Sequence, residues 1–278
     1  MPDILSDFAP AALTAAVEAN FAAFFGYLGR APQAFAHEDA ETAWCISGIP
    51  IAEYTAVTRF QLPDGAALAA VRERVHQILS VFAPRRLAML WWVGPSTRPA
   101  NLGDYLRDAG LELVGAGPGM AADLHALDEA GAPPAGLRIT RVGDEAALRQ
   151  WVQVAGAGYG EPDAILQARF AVHAALGLGD AQPLQRYLAL LGGAPVAIAA
   201  LFLGAGVAGI YEVATVPAAR RKGIGGAVTL EALRQARALG YRVGVLEASP
   251  MGFPVYQRLG FQQTCSFDIY SFTPAQTP

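Results

Sequence analysis

The chain has 278 residues, enough for one large or two ordinary domains with substantial cores. Hydrophobic residues make up 53% and charged residues 16%, with a formal net charge of −4, which excludes a disordered chain. No long basic or acidic run is present, so nucleic acid and anionic membrane are not expected partners.

Two cysteines (Cys45, Cys265) and four scattered histidines (His37, His76, His125, His173) give neither a disulfide framework nor a zinc pattern. Asp3 and Asp7 stand where a secretory signal needs basic residues, so no targeting peptide is read and a reducing cytoplasm is expected.

In chain order, the hydrophobic pattern predicts a helix over 11–27, strands over 43–47 and 55–62, a helix over 66–82 and an apolar strand over 87–93. A helix over 102–109 and a strand over 111–124 follow. The Pro/Gly-rich stretch 128–136 reads as a linker. Beyond it come a strand at 137–142, helices at 144–156 and 164–176, and strands at 186–191, 196–203 and 208–216. A helix at 223–239, a strand at 242–247, a short helix at 253–259 and a strand at 261–272 close the chain. Tyr187 to Tyr211 carries no charge and is long enough for a membrane span, but Gly192-Gly193-Ala194-Pro195 and Gly204-Ala205-Gly206 interrupt it, so it reads as adjacent buried strands. Both halves end alike: an apolar strand, a helix, a Gly-apolar pair (Gly110-Leu111, Gly260-Phe261) and a long strand. That hints at internal duplication.

The most informative segment runs from Val213 to Gly226. An apolar strand enters a basic, glycine-rich turn (Arg220, Arg221, Lys222, Gly223, Ile224, Gly225, Gly226), and a helix starts directly after it. Val228, Ala232, Leu233, Ala236 and Leu239 share one face of that helix, with Glu231, Arg234 and Gln235 opposite. Unpaired N–H groups and the positive end of the macrodipole make such a helix start an anion site. Glycines let the backbone approach closely. An ordinary tight turn is the alternative. The spacing fits neither a Walker loop nor a dinucleotide fingerprint.

Arg220-x-x-Gly223-x-Gly225 after a strand ending in Val-x-Pro resembles motif A of the GNAT N-acetyltransferase superfamily. Leu246-Glu247-Ala248-Ser249 and Val255-Tyr256-Gln257-Arg258-Leu259-Gly260-Phe261 resemble its later signature, in the right order. The resemblance implies an α/β (α+β) fold. It consists of two GNAT-like domains in tandem, each a mixed, mostly antiparallel sheet flanked by helices and splayed at an acetyl-CoA site. Residues 1–130 are then a degenerate GNAT-like or accessory domain lacking the glycine loop, 131–136 the linker and 137–278 the catalytic domain.

The resemblance further implies acetyl-CoA as cosubstrate, direct transfer of acetyl to an amine, and Tyr256 as the acid that protonates the leaving thiolate. A phenol with a pKa of ~10 suits that task, although Tyr256 also fits a core aromatic. By the same resemblance the backbone of Val216 faces the pantetheine arm. The loop N–H groups of Arg221, Lys222, Gly223, Gly225 and Gly226 surround the pyrophosphate, and Ser249 stands where relatives carry an asparagine. Glu212 is the one carboxylate on the central strand and is the candidate base, or else a solvated edge residue. Glu161 and Asp163 fall where acceptor contacts are expected. The predicted partner is a small-molecule or peptide amine, with homodimerisation left open. A CoA-binding sensor without turnover is the competing reading, and a purely structural tandem protein is a third.

Overall fold

The computed structural model describes residues 4–131 and 133–274, so Asp3, Ala132 of the linker and residues 275–278 lie outside the described residues. The described residues divide into two compact units, neither contiguous in sequence. The first takes residues 4–21 and 118–264, the second 22–117 and 265–274. These units do not follow the division expected at 131–136, and strand pairing shows why.

In the first unit, β6 (Leu137–Arg141), helices α4 (Glu145–Tyr159) and α5 (Asp163–Ala175), and strands β7 (Leu184–Leu191), β8 (Ala194–Gly204) and β9 (Val207–Thr215) follow in order. The uncharged stretch thus forms three strands, joined by glycine turns with positive φ at Gly192, Gly193 and Gly206. Helix α6 (Ile224–Ala238), β10 (Val243–Glu247) and α7 (Phe253–Arg258) complete it. The sheet order from its outer strand is β6-β7-β8-β9-β10, and β10 then pairs antiparallel with the second half of β5 (Glu112–Asp123), from Val243↔Asp123 to Glu247↔Gly119. The first half of the sequence therefore supplies a strand to the second half's sheet. All pairs are antiparallel except β9–β10, which is parallel and needs the long crossover that α6 provides.

Helix α6 buries Val228, Ala232, Leu233 and Ala236 against Leu201, Ile210 and Leu246 of the sheet. Each fully buried valine, leucine or isoleucine side chain there contributes about 1.5–3 kcal/mol. Leu239, expected on that face, is exposed because the helix ends at Ala238 and Gly240 turns the chain with φ 92°. Helix α4 is capped at Asp144, whose side chain accepts from Ala147 N–H at 2.8 Å, and stops at Gly160 with φ 75°. Of helix α1 (Pro10–Leu28), the part within this unit carries Asn20, whose Nδ2 donates to Gly204 O at 2.8 Å. Asn20 Oδ1 accepts from the Tyr211 hydroxyl at 2.8 Å. Helix α1 is long and apolar enough to cross a membrane, and half of it is buried within the protein.

The second unit repeats part of this plan. Strands β1 (Phe35–Glu38), β2 (Thr42–Ile46) and β3 (Thr55–Phe60), helix α2 (Leu68–Phe82), β4 (Met89–Val93) and α3 (Leu102–Asp108) follow in order. Strands β3 and β4 pair in parallel across α2, as β9 and β10 do across α6. Val71, Val75, Ile78 and Phe82 of α2 pack on Phe60 and Trp91. The next strand is not β5: β4 pairs with β11 (Gln262–Phe272), the last of the chain, from Met89↔Phe272 to Val93↔Asp268. The shared endings read from sequence are alike in hydrogen bonding. Leu111 N–H donates to Leu106 O at 2.9 Å, and Phe261 N–H donates to Tyr256 O at 3.1 Å. This equates Leu106 with Tyr256. The strand β1 escaped the sequence reading because Phe35–Glu38 is short and largely exposed.

Gly209 on β9 has no room for a side chain: a Cβ there would collide with Asn20 Oδ1 and approach the Tyr211 ring within 2.6 Å. Gly209→Ala should therefore destabilise the protein by about 1–3 kcal/mol, the steric cost outweighing the entropic gain of losing a glycine. Urea unfolding would show a lower midpoint with unchanged slope, and an unaltered midpoint would disprove the clash.

Candidate active site

Strands β9 and β10 stay together for only two register pairs, Ala208↔Gly244 and Gly209↔Val245. Beyond these they part. On its other edge β9 carries a bulge: Ile198 faces Ala214 and Ala200 faces Tyr211, so Ala199 opposes both Glu212 and Val213. Glu212 holds φ at 51°, a left-handed conformation that costs roughly 1–2 kcal/mol in a residue other than glycine.

A cavity of about 1000 Å³ opens beside the parted strand. Its lining includes Val213–Thr215, the glycine loop, Ser249, Tyr256 and Tyr159. Helix α6 begins with Gly223 at φ 76° and no side-chain cap, so the first N–H groups of the helix are left for a ligand. Gly223, Ile224, Gly225 and Gly226 all line the cavity. A Cβ on Gly225 would meet Thr215 Oγ1 at 3.4 Å, and one on Gly226 would meet Val255 at 3.5 Å, so bare backbone forms this wall. Arg221, at φ 61°, also borders the cavity.

Other expected donor-site residues are placed differently. Arg220 borders the cavity, but its Nε donates to Thr215 O at 3.1 Å and its Nη2 to Gly158 O at 2.6 Å. It clamps the loop to β9 and α4. Lys222 donates to Ala218 O at 3.1 Å and is not part of the lining. Val216 N–H donates to Val196 O and its C=O accepts from Ala219, so its main chain is engaged. By strand alternation the main-chain groups of Val213 and Thr215 face the open edge instead. Ser249 lines the cavity and its Oγ accepts from Gly252 N–H at 3.1 Å, leaving its proton to donate.

Tyr256 is 8% exposed and lines the same cavity, on helix α7 with its ring 6.1 Å from that of Phe261. Burial pushes its phenol up to about 12, which keeps the proton on at neutral pH.

The expected base is elsewhere engaged. Glu212 Oε1 accepts from Arg169 Nη1 at 2.5 Å, with Glu212 3% exposed and Arg169 fully buried. Arg169 also grips Glu161 with two bonds, Nη2 to Oε1 at 2.5 Å and Nε to Oε2 at 3.2 Å. Glu161 is thereby an internal partner, and neither it nor the exposed Asp163 lines the cavity. The chain of contacts continues through His173, whose Nε2 lies 3.3 Å from Glu212 Oε1 and whose Nδ1 accepts from Arg186 Nε at 2.7 Å. Two arginines face two glutamates, so the buried set is balanced with His173 neutral. It ties α5 and the α4–α5 loop to the bulge of β9.

Three residues escaped the sequence reading. Tyr159 ends α4, lines the cavity and lies under the Arg169 guanidinium at 5.7 Å. Asn20 is far away in sequence from the Tyr211 that it holds. Glu247, quoted only as a strand end, is partly covered, and its Oε1 is enclosed with no hydrogen-bond partner among the described residues. Burial pushes its carboxyl up to about 8. Strand alternation is the signal that could have found it, since Leu246 and Ala248 pack under α6 and Glu247 must face the other way.

Burial lowers the pKa of His173 below its ordinary value. The unfolded chain therefore binds a proton that the folded one refuses, and stability falls as pH drops through the unfolded value of about 6.5. Between pH 7 and 5.5 the slope contributed approaches about 1.4 kcal/mol per unit. His173→Gln should flatten that dependence in denaturation measured across the same range. An equal slope in both proteins would remove His173 as the cause.

Residues 120–246 match the family model described as the acetyltransferase (GNAT) domain. No curated protein sequence matches the chain. Among solved structures, a GCN5-related N-acetyltransferase from Kribbella flavida superposes with TM-score 0.70 at 19% identity, covering 93% of this chain and 96% of that one. One from Sphaerobacter thermophilus gives TM-score 0.63 at 16% identity, with 88% and 78% covered. A tandem GNAT protein from the clavulanic acid biosynthesis pathway gives 0.60 at 15% identity, with 89% and 85% covered. At such identities these likenesses concern the fold. With its family-model match, its order of elements and its glycine-rich loop, this chain carries a GNAT acetyltransferase domain over residues 120–246.

Proposed function

We propose that the first unit is an acetyl-CoA-dependent N-acetyltransferase that transfers an acetyl group directly to the amine of a small molecule or peptide. The observation that carries this reading is one shared cavity. The uncapped, glycine-walled start of α6 and the Tyr256 side chain both border the same space of about 1000 Å³.

The residues suit a nucleotide thioester. The first N–H groups of α6 and the Arg221 charge favour a pyrophosphate, and the main chain of Val213 with the N–H of Thr215 offers strand-like hydrogen bonds to a pantetheine amide. When bound, acetyl-CoA supplies the activated acyl group and a thiolate leaving group. Tyr256, protonated at neutral pH and more firmly so through its burial, donates its proton to that departing sulfur. Arg220 acts by holding the loop in shape rather than by direct charge.

The second unit lacks these features. The turn between β3 and α2 contains Pro63, Asp64 and Gly65, and borders a concavity shared with Glu41, Glu73 and Arg74, whose guanidinium is paired with Asp39 and Glu41. Carboxylates there oppose a pyrophosphate, and Leu106 in the place of Tyr256 has no proton to give. The donor site is assigned to the first unit alone.

An acetyl-CoA-binding module without turnover has one observation in its favour: the carboxylate expected as base, Glu212, is held by Arg169. Thiol release on a panel of primary amines, with calorimetry for acetyl-CoA, separates the two. Tyr256→Phe should lower kcat by roughly ten-fold or more while acetyl-CoA affinity stays close to wild type. Unchanged turnover would remove Tyr256 from the chemistry. Gly225→Trp should abolish acetyl-CoA binding with the circular dichroism spectrum retained, because the indole would fill the backbone wall. Retained binding would put the donor elsewhere, and binding without release on any amine would favour the module.

A further inference from the structure

We infer that Gly252 and Ser249 are positioning residues for Tyr256: the glycine leaves the space that the tyrosine ring occupies, and the serine hydroxyl holds the glycine in place. The inference rests on the acetyltransferase reading above, in which the Tyr256 phenol must stand at the sulfur of the donor.

Little else aims that phenol. Among the described residues nothing is hydrogen-bonded to the Tyr256 hydroxyl, and burial alone shifts its proton affinity. The ring is therefore placed by its packing and by its helix. A long helical side chain leans back over the preceding turn, so residue 256 covers residue 252. A Cβ on Gly252 would stand 2.8 Å from Tyr256 Cε2 and 3.4 Å from Cζ, the ring atom that bears the hydroxyl. Gly252 has φ −80° and ψ −32°, which any residue adopts, so the backbone does not require glycine here. The ring does. Phe261 meets the same ring edge-on, with centroids 6.1 Å apart, and limits where it can go.

Ser249 fixes the glycine. Its Oγ accepts from Gly252 N–H at 3.1 Å, and its C=O accepts from Gly252 N–H at 3.0 Å and Phe253 N–H at 2.9 Å. Gly252 O in turn accepts from Tyr256 N–H at 3.1 Å, so serine, glycine and tyrosine form one short chain of bonds at the start of α7. All three line the donor cavity.

The second unit makes the same turn without this device. With Leu106 equated to Tyr256, Leu102 stands in the place of Gly252 and Pro99 in that of Ser249. Leu102 N–H donates to Pro99 O at 3.0 Å, the bond that Gly252 makes to Ser249 O. The turn itself thus needs neither a glycine nor a hydroxyl. Leu102 and Leu106 are both fully buried, which is sound packing for a helix without chemistry. The bare residue and the hydroxyl accompany the tyrosine.

The test measures turnover on a panel of primary amines, and acetyl-CoA affinity by calorimetry, for wild type, Gly252→Ala, Ser249→Ala, Ser249→Thr, Tyr256→Phe and the Gly252→Ala/Tyr256→Phe double variant. Gly252→Ala should lower kcat by roughly ten-fold, close to the loss in Tyr256→Phe. Its acetyl-CoA affinity should stay near wild type, because the added methyl meets the ring rather than the donor. Ser249→Ala should lose roughly two- to ten-fold in kcat, and Ser249→Thr, which keeps the hydroxyl, should restore most of it. In the Tyr256→Phe background Gly252→Ala should cost nothing further, since no proton is left to misplace. A Gly252→Ala enzyme with the wild-type kcat overturns the inference, as does a loss that persists undiminished beside Tyr256→Phe. Where Gly252→Ala fails to fold, Ser249→Ala takes its place in the same cycle. If wild type binds acetyl-CoA but acetylates no amine, or Tyr256→Phe turns over as wild type does, the reading of Tyr256 as the acid fails instead. The placement of the ring is then read from the Cζ NMR resonance of Tyr256, assigned by its loss in Tyr256→Phe. A titration that falls in Gly252→Ala toward the ordinary tyrosine value of about 10 keeps the positioning role, and a titration unchanged from wild type rejects it.

Discussion

The site depends on the early separation of two parallel strands. A sheet ordinarily satisfies every main-chain group along its strands, and a strand that parts from its neighbour leaves donors and acceptors exposed. Here β9 and β10 part after Gly209↔Val245 while β9 stays paired with β8 on its other edge. The bulge at Glu212 bends β9 within that pairing, at the cost of a left-handed non-glycine residue. The buried ion pairs hold this conformation in place. Arg169 reaches from α5 to Glu212 at the bulge and to Glu161 in the α4–α5 loop, so one guanidinium fixes the strand and the loop together. Buried pairs of this kind are poor sources of net stability, but breaking one strands a charge in the interior. Their value here is positional. The gap between the strands is kept open by an arrangement that is expensive to rearrange.

The two units show what the fold requires and what the chemistry adds. Both contain a parallel strand pair joined by a packed helix, followed by a short helix with the same closing hydrogen bond. That closing bond, from Leu111 to Leu106 and from Phe261 to Tyr256, depends only on backbone and a glycine with positive φ at 110 or 260. It survives any exchange of the side chain at the equated position. A leucine there is sound packing and offers no proton. Likewise Gln61–Ala67 makes a serviceable strand-to-helix turn with one glycine, while an anion site needs several bare residues in sequence.

Most of the elements were legible from the sequence because hydrophobic period and turn residues agree locally. The uncharged run from Tyr187 to Tyr211 resolved correctly into strands on its glycine pairs, and the helix after Gly223 on its apolar face. The glycine wall of the cavity and Tyr256 were legible for the same reason, since their neighbours in space are neighbours in sequence. What failed was partner choice. The exchange of closing strands, β5 pairing with β10 and β11 with β4, leaves no mark in composition, because either strand has the alternation to fill either place. The position of Arg220 in a basic triplet suggests charge placed around an anion site. Its actual partners, Thr215 O and Gly158 O, include one on a helix far back in the chain.

The two carboxylates at the gap show the same limit in its sharpest form. Glu212 and Glu247 are the same residue type, on adjacent strands, and near the same opening. In the sequence Glu212 is the better candidate, standing on the central strand beside Tyr211. The structure gives Arg169 to Glu212, whereas Glu247 has only its own backbone N–H, and that difference sets their surroundings. A carboxylate bonded to a guanidinium is stabilised in its charged form, whereas burial drives the Glu247 carboxyl toward protonation. The surroundings thus set two residues of one type apart. The division depends on a residue of α5, 43 positions before Glu212 in the chain, so it becomes readable only once the helix is laid against the sheet.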